Sequence, residues 1–195
     1  MSFSVPAQTT YEQPLNERIR TLLRLEHLFL CAAAAVQRTT IWDSRATLGS
    51  IVEILDILGR SDLKNELIKE LERHHITLSR LHNSPGVDQV RLDTILGKLE
   101  KTRQRLHEET LPLGHSIREL DLIHGLMQRN TTISGVCNCY LPAYHHWLQQ
   151  DEKTRQTLLT AWLKELTLLS VSVGLILYII RESTVPNIRV AEQGL

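Results

Sequence analysis

Apolar residues recur at the three- and four-residue spacing of an α-helix along nearly the whole chain, and the alternating pattern of a β-strand is almost absent. The segment before Gly59 shows this clearly, with one apolar face made of Leu48, Ile51, Ile54, Leu55 and Leu58. A chain of 195 residues can bury about 70% of its unfolded surface, which is enough for a core without disulfides. We therefore predict an all-α fold, a multi-helix bundle of about seven or eight helices.

Residues that favour helix ends divide this pattern into separate helices. Pro14 suits the first turn of a first helix that extends to about Gln37. Either Ser44 or Thr47 is predicted to cap the second helix and Ser61 the third, because hydroxyl side chains accept hydrogen bonds from the free N–H groups of a first turn.

Two further boundaries lie in the middle of the chain. Ser116 and Glu119 have the spacing of a capping box, which predicts that a helix begins directly after Ser116. Residues Asn130–Tyr140 have no helical pattern, and we expect them to form a long loop.

The last helical segment, Asp151–Glu182, is longer than most helices of globular proteins. Asp151 is its predicted cap, and we expect a bend or turn near Leu166–Ser172. The apolar run Leu166–Ile180 has 15 residues, whereas a membrane-spanning helix needs about 20. This run therefore predicts a buried core helix and no membrane insertion.

The charge and cysteine content restrict the class of partner and the compartment. The chain has 22 basic and 22 acidic residues, and this balance argues against a nucleic-acid-binding protein, which usually has a basic domain. Sixteen of the 22 cations are arginines, a residue that suits contacts with carboxylates at interfaces. Three cysteines and a first segment without the pattern of a secretory signal favour a cytoplasmic protein with reduced thiols.

The first helix carries an unusual carboxylate. In YEQPLNERIRTLLRLEHLF, residues Tyr11–Phe29, helical spacing places Arg20 and Arg24 opposite the apolar face. We interpret that side as solvated, with an ion pair between Glu17 and Arg20. Glu26 falls within the apolar face, where an unpaired carboxylate would cost several kcal/mol. We therefore expect an arginine from another helix to pair with Glu26.

The segment PLNERIRTLLRLE resembles the N-terminal signature of the ZapD family, bacterial cell division proteins that bind FtsZ. Four later blocks resemble the same family in the same order: ILDILGRSDLKNELIKELERH at Ile54–His74, SPGVDQVRLDTIL at Ser84–Leu96, SIREL at Ser116–Leu120 and CYLPAYHHWL at Cys139–Leu148. These similarities extend from about Tyr11 to Glu182, nearly the whole chain.

The resemblance implies a domain organisation and a function. Residues 1–182 would form the α-helical domain for FtsZ binding and dimerisation, and residues 183–195 would be the truncated start of a β-rich C-terminal domain that is otherwise missing. Members form homodimers that bind the C-terminal tail of FtsZ and bundle FtsZ filaments, which stabilises the Z-ring during septation. By this resemblance the protein acts in the cytoplasm at the division septum, and it is not an enzyme.

The resemblance also implies a binding surface for the FtsZ tail. Basic residues on a concave surface would bind it, and the matching positions are Arg20, Arg24, Arg60, Arg118 and His145. Tyr144 and Trp147 are candidates for an aromatic floor beneath the peptide. We expect helix packing to bring these residues together.

A metal site is the alternative interpretation. Cys137 and Cys139, followed by His145 and His146, would make the chain a metal-binding helical enzyme or sensor. The Cys-x-Cys spacing is not the usual clip, and adjacent histidines point in different directions on a helix. We therefore expect no metal, no other cofactor and no catalytic residue.

Overall fold

The computed structural model describes residues 11–60, 62–82, 84–129 and 141–185, and these ranges contain nine α-helices and no strand. The prediction of an all-α bundle is confirmed, with slightly more helices than expected. The helices are α1 Glu17–Val36, α2 Ile41–Arg60, α3 Leu63–Ser79, α4 Gln89–Glu108, α5 His115–Arg118, α6 Asp121–Arg129, α7 Pro142–Gln149, α8 Glu152–Glu165 and α9 Thr167–Glu182.

Helices α1 and α2 form an antiparallel pair, and α3 and α4 form another, because each pair is joined by a short connection. Helix α9 packs against α1, α3 and α4, so it joins the two pairs, while α6 and α8 pack on α2. The centre of this core includes Leu25 of α1, Leu71 of α3 and Ile176 of α9, each fully buried.

Short polar side chains set the starts of several helices. Asn16 caps α1 by accepting a hydrogen bond from the N–H of Ile19 at 2.9 Å, so Pro14 lies before the cap rather than in the first turn. Asp151 caps α8 through the N–H of Thr154 at 3.0 Å, and this prediction is confirmed.

The predicted caps of α2 are wrong. Thr40 precedes the helix, and its hydroxyl accepts a hydrogen bond from the N–H of Asp43 at 3.2 Å. The carboxylate of Asp43 in turn accepts one from the N–H of Thr40 at 3.3 Å, which completes a capping box. Ser44 and Thr47 lie inside α2 and are buried. Ser61, the predicted cap of the third helix, lies outside the described residues, as does the expected loop Asn130–Tyr140.

The predicted capping box at Ser116 is also wrong. Helix α5 is a single turn that begins after Gly114, so Ser116 lies within it and donates a hydrogen bond to Glu165 of α8. Gly114 has a φ angle of +71°, and a Cβ atom there would lie 2.6 Å from a methyl group of Leu55. This close approach to α2 fixes where the turn begins.

The long C-terminal helical segment is bent, as predicted. Helices α8 and α9 meet at Leu166 with an angle of 55° between them. The apolar run lies in α9, where Leu169, Val173 and Ile176 are buried, so the core-helix prediction is confirmed. In the described part of the chain, neither helix alone is long and apolar enough to cross a membrane, although the bent pair together has sufficient length and composition.

Glu26 has the partner that the sequence predicts. Arg181 of α9 donates two hydrogen bonds to the Glu26 carboxylate, at 2.6 and 2.7 Å. Arg181 also bonds Glu12 at 2.5 and 2.8 Å, and this interaction lowers the pKa of Glu12. The cluster therefore attaches the segment before α1 to both α1 and α9.

Arg155 of α8 is a buried cation that the sequence did not predict. Its side chain donates to the hydroxyl of Ser44 at 3.1 Å and to the carbonyl oxygens of three other residues, Thr39, Leu148 and Gln150. It therefore joins the α1–α2 connection to the end of α7 and the start of α8.

A second buried charged cluster lies between α1 and α3. Glu70 accepts hydrogen bonds from Arg73 at 2.8 Å and from Arg18, and His74 lies beside it with a nitrogen 3.9 Å from the carboxylate. Burial opposes ionisation of Glu70, but the two arginines outweigh it and lower the pKa of Glu70. Burial lowers the pKa of His74, with Arg73 adding to the effect.

Both shifts make the fold less stable in acid. A group whose pKa is depressed in the folded state binds protons more readily when unfolded, so its stabilisation is lost as the pH falls. The free energy of unfolding should therefore decrease below the ordinary histidine pKa of 6.5, and decrease again below 4.5 as Glu70 is protonated. Urea unfolding from pH 7 to pH 5.5 should show a smaller decrease for His74→Asn than for the wild type. The exposed His146→Asn variant is the control, and equal decreases in all three proteins would contradict the prediction.

Candidate functional site

Three of the predicted binding residues lie on the exposed side of the α1–α2 pair. Each is paired with a neighbouring carboxylate: Arg20 with Glu17 at 2.6 Å, Arg24 with Glu53 at 3.2 Å, and Arg60 with Asp56 at 2.6 Å. The predicted ion pair between Glu17 and Arg20 is thus confirmed. Because every one of these side chains remains largely open to solvent, each pair contributes only about 0 to 1 kcal/mol.

Arg118 reaches from the end of α5 to the C-terminal part of α2. Its guanidinium donates a hydrogen bond to the carbonyl oxygen of Leu55 and lies against Gly59, where a Cβ atom would be 3.0 Å from Nη2. The Nε atom is buried, with no hydrogen-bond partner among the described residues. A cation near the last carbonyls of α2 is favoured by the helix dipole, which explains this position.

A pocket of about 240 Å³ opens beside Arg118. Its apolar walls are the side chains of Leu58, Leu63, Leu111 and Leu113. Arg118 and Lys64 bring positive charge to the same pocket, and Asp62 brings one carboxylate. The ammonium of Lys64 also donates to the carbonyl oxygen of Glu109 at 2.5 Å. This combination suits a peptide that presents a carboxylate next to an apolar side chain.

His145 is exposed on α7, away from Arg118. The preceding residue, Tyr144, lies under Arg45 of α2 at 5.5 Å, so α7 is close to the first part of α2. Arg118 contacts the other end of the same helix at Gly59, 14 residues later. Since an α-helix rises 1.5 Å per residue, roughly 21 Å of helix separates the two positions.

The structure therefore groups the predicted residues unequally. Arg24, Arg60 and Arg118 surround the C-terminal half of α2, Arg20 lies one turn before Arg24 on α1, and His145 lies near the opposite end of α2. These residues adjoin α2 on more than one side, because Glu53, which meets Arg24, and Gly59, which meets Arg118, lie about 120° apart around the helix axis. We name the surface formed by Arg20, Arg24, Arg60, Arg118 and His145 the α2 face.

The predicted aromatic floor is wrong. Tyr144 and Trp147 are buried and stack on each other with ring centroids 6.3 Å apart, and Trp147 stacks in the same way on Trp162. These rings fill the core because they lie on the inward side of α7. The exposed aromatic residue in this region is Trp42, which is 74% exposed and lies 5.1 Å from the guanidinium of Arg45.

The metal-site alternative gains no support from the described residues. Among them, no three His, Cys, Asp or Glu side chains lie close enough together to hold a metal ion. Cys137 and Cys139 lie outside the described residues, so the structure does not test their role.

Replacing Gly59 by alanine tests the role of Arg118 in peptide binding, because Gly59 lies against its guanidinium. A methyl group at Gly59 would displace the guanidinium of Arg118 by a few tenths of an ångström, while alanine favours the helix by up to about 1 kcal/mol. We expect unchanged or higher stability in urea but altered peptide binding, weaker by about two- to fivefold. Gly49→Ala in the same helix meets no atom within 4 Å and is the matched control. Equal affinities of the two variants would contradict the role of Arg118.

The described residues form an all-α bundle with exposed cations on several helices, and comparison with known proteins defines the family. Residues 23–195 match the family model described as ZapD, cell division protein. The cell division protein ZapD of Methylococcus capsulatus is 36% identical over 176 residues, which are 90% of this chain and 69% of the relative. Those of Dechloromonas aromatica and Coxiella burnetii are 38% and 37% identical, over 95% and 97% of this chain and 73% and 74% of the relatives.

The chain belongs to the ZapD family of cell division proteins. It is therefore a cell division factor, and the resemblance seen in the sequence is confirmed.

Proposed function

We propose that the α2 face binds the C-terminal tail of FtsZ, and that a homodimer of the chain thereby cross-links FtsZ filaments and stabilises the Z-ring in the cytoplasm during septation. The family supports a role in division, and the pocket beside Arg118 is the observation that carries the proposed contact. It offers two cations and one carboxylate next to four leucines, and this excess of positive charge beside apolar walls supports binding of a tail that contains carboxylates and apolar side chains.

The exposure of the cations sets the expected affinity. An arginine–carboxylate contact at a surface contributes about 1 kcal/mol or less, and salt weakens it further. Binding of one tail to one α2 face should therefore be micromolar or weaker, since about 8 kcal/mol corresponds to a Kd of 1 μM.

Filaments compensate for weak single contacts. Because a filament displays many tails, a protein with two α2 faces gains from the high local concentration of the second tail. A monomer would coat a filament, whereas only a dimer joins two filaments. Dimerisation is therefore part of the proposed mechanism.

The experiment is a titration of the chain with a synthetic FtsZ tail peptide at low and high salt. We expect weak binding that decreases with salt and decreases further in Arg24→Glu. Lys101→Glu, an exposed charge reversal in the middle of α4, is the matched control and should bind as the wild type does. Absence of binding by the wild type at low salt would refute the proposal. Light scattering of polymerised FtsZ then separates bundling from coating.

A further inference from the structure

The cations of the α2 face do not all have the same kind of partner. Arg20 and Arg60 pair with carboxylates of their own helices, three and four residues away. Arg24 instead pairs across the helix interface with Glu53 of α2. In the described part of the chain, the hydrogen bond of Arg118 goes to a main-chain carbonyl rather than to a carboxylate.

The Glu53 carboxylate therefore occupies the position at Arg24 that a carboxylate of a bound peptide would take. This carboxylate approaches the Arg24 guanidinium at 3.2 Å from a different helix, as the carboxylate of a bound peptide would approach it from outside. The Arg24 and Glu53 side chains are 59% and 46% exposed, so an incoming peptide can reach and exchange this contact. A pair this open to solvent is held weakly, and its exchange is rapid on the time scale of binding.

We propose that Glu53 is an internal competitor that lowers the affinity of the α2 face for the carboxylates of its partner. This inference rests on the proposed function and names the residue that limits it. An acidic peptide binds first beside Arg118, whose guanidinium has a main-chain carbonyl oxygen and not a carboxylate as its hydrogen-bond acceptor. It recruits Arg24 only by displacing Glu53, so one ion pair replaces another and the net gain is small.

Removing the competing carboxylate should increase the affinity for the peptide, because Arg24 then has no ion pair with Glu53 to give up. Glu53→Gln keeps the size of the side chain and one acceptor oxygen but replaces the other oxygen by an NH2 donor and removes the charge. We expect the FtsZ tail peptide to bind this variant about two- to fivefold more tightly, which is the range that one exposed ion pair supports.

A double-mutant cycle separates release of Arg24 from a general change of charge. Glu72→Gln on α3 removes an exposed carboxylate outside the α2 face and is the matched control. In an Arg24→Ala background, Glu53→Gln should no longer tighten binding, because no guanidinium remains to be released. An unchanged affinity of Glu53→Gln, an equal gain in Glu72→Gln, or a gain that persists without Arg24 would each overturn the inference.

A second measurement distinguishes this inference from the proposed function. The Nε–H resonance of Arg24, recorded by NMR without peptide, should shift in Glu53→Gln and not in Glu72→Gln. No shift would overturn the competitor role of Glu53 even if the wild type binds the peptide. A shift with no peptide binding by any variant would instead refute the proposed function and, with it, the competition.

Discussion

Replacing Arg118 by glutamate should weaken binding of the FtsZ tail peptide by about tenfold or more, a loss of at least about 1.4 kcal/mol. The change removes the guanidinium beside the apolar pocket and places a carboxylate near the carbonyl oxygen of Leu55, which it repels. Fluorescence anisotropy with a labelled peptide measures the effect.

Two further variants show whether this loss arises from the site or from the fold. Arg118→Lys keeps the charge but not the planar fork of donors, so we expect an intermediate affinity. Lys101→Glu makes the same reversal of charge on α4 and should have little effect. An Arg118→Glu variant that melts as the wild type does and binds with the same affinity would remove Arg118 from the site.

Replacing Arg155 by methionine should lower the free energy of unfolding by about 3 kcal/mol. Arg155 is 6% exposed, and its loss leaves the carbonyl oxygens of Thr39, Leu148 and Gln150 without their donor. Methionine fills a similar volume, so the loss measures mainly the unmet hydrogen bonds. Urea unfolding followed by circular dichroism at pH 7 gives the value.

The control for this prediction is Arg38→Met near the same connection. The Arg38 side chain is 74% exposed and approaches Asp43 only at 3.9 Å, so its replacement should change stability by less than about 0.5 kcal/mol. If Arg155→Met loses less than about 1 kcal/mol, water must replace the arginine as donor to the three carbonyl oxygens.

The helical content and the bend could be predicted because they depend on residues close in the sequence. Periodicity located the helical segment Asp151–Glu182, and its length indicated a bend near Leu166–Ser172. The length of the apolar run Leu166–Ile180 indicated a buried core helix. Glu26 shows a further success: burial of a carboxylate requires a cation, and the fold supplies Arg181.

Helix starts were predicted less well, because several residues compete for the same role. Thr40, Ser44 and Thr47 can each cap a helix, and the choice depends on packing that the sequence does not display. Arg155 bonds Ser44 from 111 residues away, and this contact holds Ser44 inside the helix. Gly114 similarly fixes the start of α5 through its contact with Leu55.

The binding surface could be predicted only in part, for a related reason. Helical spacing correctly placed Arg20 and Arg24 on the exposed side of α1. It could not predict that Arg24 meets Glu53, 29 residues later, or that Arg118 meets Leu55, 63 residues earlier. The inward direction of Tyr144 and Trp147 likewise follows from the packing of α7 against the core.

Helix α2 fixes the distance between the two parts of the surface that lie at its ends. Arg118 contacts one end of α2, and α7, which carries His145, lies near the other end. Because the helix is rigid, these two positions stay apart. An extended chain covers at most about 3.3–3.6 Å per residue, so a tail needs at least about six residues to reach both positions. A shorter tail would bind at one of the two positions only. The number of residues in a tail would then affect its affinity as much as its charge does.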